Sequence, residues 1–109
     1  MIPGDKTAKE MSQSQHRQVW TQLTQRYLAD LPKQLQAMRG CLDRGDLVQL
    51  QQQAHRAKGT SGTYRLERIA EEFALLEDLA RRGAAREIPP HLDRLAVLVG
   101  EAVSRCRHD

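Results

Sequence analysis

The sequence predicts an all-α protein, an up-down-up-down antiparallel four-helix bundle. Three observations carry that prediction. Apolar residues recur at three- and four-residue spacing through four separate stretches, and no stretch alternates apolar and polar residues as a half-buried strand would. Glycine, proline or aspartate punctuates the joins between the stretches. The joins are short, which favours antiparallel neighbours. At 109 residues the chain is one domain, and it can bury roughly two thirds of its unfolded surface without needing disulfide staples.

In chain order, residues 1–13 are polar, contain Pro3 and Gly4, and are expected to form a disordered lead-in to a domain spanning 14–107. Ser12 or Ser14 can cap the first helix. Its stripe is Val19, Trp20, Leu23, Tyr27, Leu28 and Leu31, and it resumes in phase at Leu35, Met38 and Leu42. Pro32 interrupts that run, so one long helix with a kink is expected. Gly45 ends it and Asp46 caps the second. The second stripe is Leu47, Leu50, Ala54, Ala57 and Ser61, with a turn expected at Gly62-Thr63. Leu66, Ile69, Ala70, Phe73, Leu76 and Ala80 make the third, closed by Arg81-Arg82-Gly83. Residues 84–88 read as a linker. Pro89-Pro90 suits a helix entry, and Leu92, Leu95, Ala96, Val99, Ala102, Val103 and Cys106 form the last stripe. Aromatic residues make up only 4% of the chain, so the core must be aliphatic, with Trp20, Tyr27, Tyr64 and Phe73 as its few large pieces.

Bulk properties exclude several function classes. The net charge is +3, but the basic residues are scattered from Lys6 to Arg107 among 14 acidic ones. A DNA-binding face commonly offers about 6–10 phosphate contacts, and no such stripe exists, so nucleic-acid binding is not expected. Cys41 and Cys106 are isolated and make no disulfide framework. The start of the chain has no apolar run for a signal peptide, and no window approaches the ~18 apolar residues of a membrane span. A cytoplasmic monomer, with no membrane contact, is expected. His16, His91 and His108 share no metal-ligand spacing with one another or with the cysteines. Thr60-Ser61 beside glycine is not a Walker A loop, because there the glycines precede the lysine. Glu71-Glu72 and Glu77-Asp78 read as solvated helix faces rather than an acid/base pair.

The chemistry concentrates in Ala54-His55-Arg56-Ala57-Lys58-Gly59-Thr60-Ser61-Gly62. At about 100° per residue, His55 lies roughly 120° from the centre of the second stripe, at its edge, where it meets water. Lys58 lies one turn on and on the same side, as do Gln51 and Gly62. Gly59 is the next residue round. Each glycine costs about 1 kcal/mol of helix propensity relative to alanine; what it offers is room for another molecule to approach the histidine. Alternatively, the two glycines end the helix early. Imidazole, with an ordinary pKa near 6.5, is mostly uncharged and nucleophilic at pH 7.

Ala54-His55-x-x-Lys58-Gly59-Thr60-Ser61-Gly62 resembles the core signature of histidine-containing phosphotransfer (HPt) domains of two-component phosphorelays. The resemblance extends upstream through Tyr27-Leu28-x-x-Leu31-Pro32-x-x-Leu35, Leu42 and Gly45-Asp46. Downstream it takes in Leu66, Ile69, Phe73, Leu76-Glu77 and Arg82-Gly83, and in all it covers roughly residues 20–103. It implies that His55 is the phosphoacceptor, that Lys58 stabilises phosphoryl charge, and that Gln51, Gly59, Gly62 and Arg65 belong to the docking surface. It also implies a carrier without kinase activity, either free-standing or a domain of a hybrid sensor kinase. Its partners would be response-regulator receiver domains and such a kinase; it would hold no cofactor, with Mg²⁺ supplied by the receiver. The chain departs from the family at two positions. Ala57 replaces the usual large apolar residue before the lysine, thinning the packing beside the site, and Arg65 stands where many members have glycine. Both departures favour a rival reading, a helical docking module that is never phosphorylated.

Overall fold

The computed structural model describes the backbone of residues 4–108 and the side chains of residues 16–106. It has four α-helices, α1 (Gly4–Asp43), α2 (Leu47–Thr63), α3 (Glu67–Arg81) and α4 (Ile88–His108), with a one-turn 3-10 helix, Ala85–Glu87, before α4. No strand occurs among the described residues. α1 packs on α2 and α4, and α3 packs on the same two, so the helices enclose a common core. The most extensive contact is between α2 and α3. α1 begins at Gly4, within the expected lead-in; residues 1–3, and side chains up to residue 15, lie outside the described residues.

The α1 stripe stays in phase across Pro32. Leu28, Leu31, Leu35, Met38 and Cys41 are all buried on one side, while Pro32 is exposed and takes no core space. The other stripes fall inward as their periodicity predicts: Leu50, Ala54, Ala57 and Ser61 on α2, Ile69, Phe73, Leu76 and Ala80 on α3, Leu92, Leu95, Val99 and Ala102 on α4. Four expectations need correcting. The first turn of the α1 stripe is not core, since Val19, Trp20 and Leu23 are exposed. α1 outruns its neighbour there, because α2 stops at Thr63 and Trp20 lies against Tyr64, the next residue, with ring centroids 5.2 Å apart. Trp20, Tyr64 and Tyr27 therefore form an aromatic cluster at the rim of the bundle, in which Trp20 is exposed, Tyr64 is half-buried and Tyr27 packs against the core, and Phe73 alone of the four aromatic residues is fully buried. The linker at 84–88 is structured: Ile88 opens α4 and is completely buried, whereas Ala96 points outward.

Each of the three interhelical turns closes with the same pair of backbone bonds, in which the second and third residues after the helix donate back to its last turn. Gly45 N–H donates to Leu42 and Asp46 N–H to Cys41; Arg65 to Gly62 and Leu66 to Ser61; Gly83 to Ala80 and Ala84 to Leu79. This motif needs a left-handed residue at its centre. Gly45 (φ 72°) and Gly83 (φ 74°) supply it without strain, and Arg65 (φ 59°) supplies it against the preference of any residue with a Cβ. The glycine that the HPt-like pattern leads one to expect at position 65 is thus a backbone requirement, which here an arginine meets.

Candidate functional site

The site is built on α2. Asp46 caps it, its carboxylate accepting from Gln49 N–H at 3.1 Å. The helix then runs unbroken through Gly59 and Gly62 to Thr63, so neither glycine ends it early. A Cβ at either glycine would meet nothing within 4 Å, and both residues are exposed. At four and seven residues after His55 they share its face, and the surface beyond the histidine is bare backbone.

The His55 side chain is 66% exposed, and its Nδ1 lies 2.5 Å from Glu77 Oε2, on α3. The other oxygen of Glu77 accepts from Lys58 Nζ at 2.7 Å. His55 and Glu77 meet because each sits some three helical turns from the α2–α3 turn. Glu77 is only 16% exposed, yet the Lys58 ammonium, and after it the His55 ring, hold its carboxyl below the usual carboxylate range despite that burial. A carboxylate can only accept, so the proton of a neutral His55 resides on Nδ1 and the lone pair on Nε2. No described residue bonds Nε2. Lys58 has three donors and gives one of them to Glu77. Gln51, Gln52, Arg56 and Glu77 border an open depression of about 510 Å³ in front of the histidine.

Glu77 is the residue that sequence reasoning missed as part of the site. Its sequence position predicts a solvated face; instead it is largely covered and bonded twice. Its signal was its place next to Leu76, at the edge of the α3 stripe, but only the pairing of α2 with α3 says which charge it meets. Glu72 is a second correction. The sequence predicts a solvated residue there too, but its side chain is 4% exposed, lies 3.2 Å from His91 Nδ1 and is 3.6 Å from an Arg94 nitrogen. Asp78, by contrast, is a surface residue engaged with Arg81 and Arg82 of its own helix.

The remaining expected site residues divide. Gln51, Gly59 and Gly62 are on the histidine's side of α2. Arg65 is not brought to His55; it lines a groove between the start of α3 and the end of α4. Ala57 is buried and faces α1, not the site. On that side the Tyr27 hydroxyl donates to the Ala57 carbonyl at 3.2 Å and lies 2.9 Å from Ser61 Oγ. A cleft of about 340 Å³ between α1 and α2 opens beside it. The thinned packing therefore lies on the opposite side of α2 from the histidine. Among the described residues, no group of three or more His, Cys, Asp or Glu could hold a metal ion, and no helix is long and apolar enough to cross a membrane.

Comparison with known families decides the identity. The family profile of the Hpt domain matches residues 22–105, most of the chain. The chain belongs to the Hpt domain family. No curated protein and no solved structure matches it. Hpt domains are phosphotransfer carriers rather than enzymes, and they work with receiver domains and kinases in two-component signalling. The exposed imidazole, with a carboxylate behind it and an ammonium beside it, has the chemistry such a carrier needs.

Proposed function

We propose that this Hpt domain is a phosphorelay intermediate in which His55 takes a phosphoryl group from the aspartyl phosphate of one receiver domain and delivers it to an aspartate of a response regulator. The observation that carries the reading is the Glu77 carboxylate on Nδ1, which reserves the outward nitrogen for nucleophilic attack. In the forward step the Nε2 lone pair attacks phosphorus in line. An N–P bond forms, the P–O bond to the aspartate breaks, and the donor leaves as a carboxylate. The ring becomes an imidazolium, whose Nδ1–H is stabilised by Glu77. In the return step the acceptor carboxylate attacks phosphorus and the N–P bond breaks, restoring the neutral ring. Little covalent assistance is required; positioning and charge neutralisation dominate phosphoryl transfer. Lys58 supplies the local positive charge with the donors Glu77 leaves it, and Gln51 is placed to hydrogen-bond the ring or the phosphoryl group. Gly59 and Gly62 let the receiver approach the backbone closely. Mg²⁺ belongs to the receiver in this scheme, and the carrier has no kinase activity of its own.

The short turns and the closed ring of helix contacts support the up-down-up-down arrangement. We place the protein in the cytoplasm as a monomer, acting between receiver domains and a hybrid sensor kinase, with no nucleic-acid or membrane partner. The test is transfer from a phosphorylated receiver. Label on this chain should be acid-labile and alkali-stable. Equal labelling of His55→Gln and wild type would refute the assignment, and partner binding that survives His55→Ala with no label from any donor would select the rival docking module.

A further inference from the structure

We infer that the end of the bundle away from His55 is a docking groove for an acidic segment of a partner protein that carries apolar anchors. The groove lies where the α2–α3 turn and the start of α3 meet the end of α4, and it encloses about 360 Å³. Its floor includes Leu66, Leu98 and Ala102, and Arg65, Arg68 and Arg105 line it with exposed side chains. Glu67 is the one acidic residue there. Elsewhere on the surface Arg39, Arg81, Arg82 and Arg94 each face a carboxylate, and Arg17, Arg26, Arg44, Arg56 and Arg86 face none among the described residues, so what sets the groove apart is three such arginines around one depression. None of the three groove arginines makes an ion pair among the described residues. Three unopposed guanidinium groups around an apolar floor call for carboxylates outside and an aliphatic or aromatic side chain within. A nucleic-acid strand would answer the charge but leave the floor uncovered.

The backbone supplies an independent reason. Of three turns with the same hydrogen bonding, two place glycine at the left-handed position and this one places arginine. A left-handed residue with a Cβ is strained by roughly 1–2 kcal/mol, and strain of this kind is a pointer to use of the side chain. Arg65 follows His55 by ten positions, about 15 Å of helix rise, so the groove can be occupied without touching the imidazole.

The probe is a synthetic amphipathic peptide of glutamates with leucines on one face, titrated into the isotope-labelled full chain. Amide shifts should concentrate at Leu66, Ile69, Leu98 and Ala102, and should be the same in His55→Gln. Binding should weaken about tenfold or more in a variant combining Arg65→Gly with Arg105→Glu. Because Arg65→Gly relieves the turn, loss of binding with a retained or raised melting temperature cannot be blamed on misfolding. Replacing the peptide's leucines by serine should also weaken it. The inference is overturned if the peptide does not bind, if its shifts centre on His55, or if an oligothymidylate of equal charge binds the groove as tightly.

Discussion

Two histidines of this molecule have nearly the same companions and opposite circumstances. His55 and His91 are each followed three residues later by a cation, Lys58 or Arg94, and each turns Nδ1 toward a glutamate of α3, Glu77 or Glu72. At the first site the ring is 66% exposed over a glutamate 16% exposed; at the second the values are 28% and 4%. The residue four positions on is Gly59 in one case, with open space around it, and the buried Leu95 in the other. The two clusters share a histidine, a carboxylate and a cation and differ in access, which follows from which helix face the ring occupies and what stands next to it; on the proposed reading access is what makes a phosphoacceptor.

The largest effect should separate the two rings outright. His55→Gln is expected to lose essentially all acid-labile phosphate, whereas His91→Gln keeps most of it in the same assay; substantial loss in the His91 variant would dissolve the contrast. The two glutamates should then exchange effects. Glu77→Ala frees Nδ1 and should slow transfer roughly ten- to a hundredfold through misplacement of the ring, with Glu77→Gln, which can still accept the Nδ1 proton, recovering part of the rate. Its stability should change by no more than about 1 kcal/mol, since His55 is exposed and Lys58 still reaches water. Glu72→Ala is expected to leave transfer within about twofold while destabilising the fold by about 1–3 kcal/mol, because it strips the half-buried His91 of its partner. Denaturant melts and single-turnover kinetics on both variants decide this; matching profiles would mean the sites do not differ as argued.

Gly59→Ala tests the part played by bare backbone and should have effects of opposite sign. The helix gains about 0.5–1 kcal/mol, because the new methyl meets nothing, while transfer from a receiver falls several-fold. Stabilisation without loss of transfer would show that the receiver does not approach there. The smallest effect concerns pH. Glu77 has its carboxyl held below its ordinary value of 4.5 in the folded state. Its contribution to stability is therefore fully present above pH 4.5 and lost as pH falls through the lower folded value. The melting-temperature gap between wild type and Glu77→Ala should narrow on acidification below 4.5, and a gap that widened instead would contradict the sign.

The placement of His55 and Lys58 was legible because both lie on one helix, where spacing in sequence is angle in space. His55, Lys58, Gln51, Gly59 and Gly62 all fell where a 3.6-residue period puts them. Glu77 was not legible: it reaches the histidine across a helix pair, and a glutamate at the edge of a stripe looks the same whether it faces water or a buried neighbour. Glu72 was misread for the same reason. Ala57 and Arg65 showed a further limit, since their departures from the family pattern were visible while their placements were not. One faces α1 beneath Tyr27, and the other holds a strained turn beside the α3–α4 groove.

The sequence by itself determined the number of helices, most of their inward faces, the glycines of two of the three turns and the exposed position of His55, because these depend on local periodicity and on φ preferences that act within a few residues. Only the tertiary structure decided which nitrogen of His55 is left free, which glutamate holds the other, how far the α1 stripe is covered and where Arg65 points. Those depend on the level at which one helix meets another, and that level is set by packing of whole faces, which no short window of sequence contains.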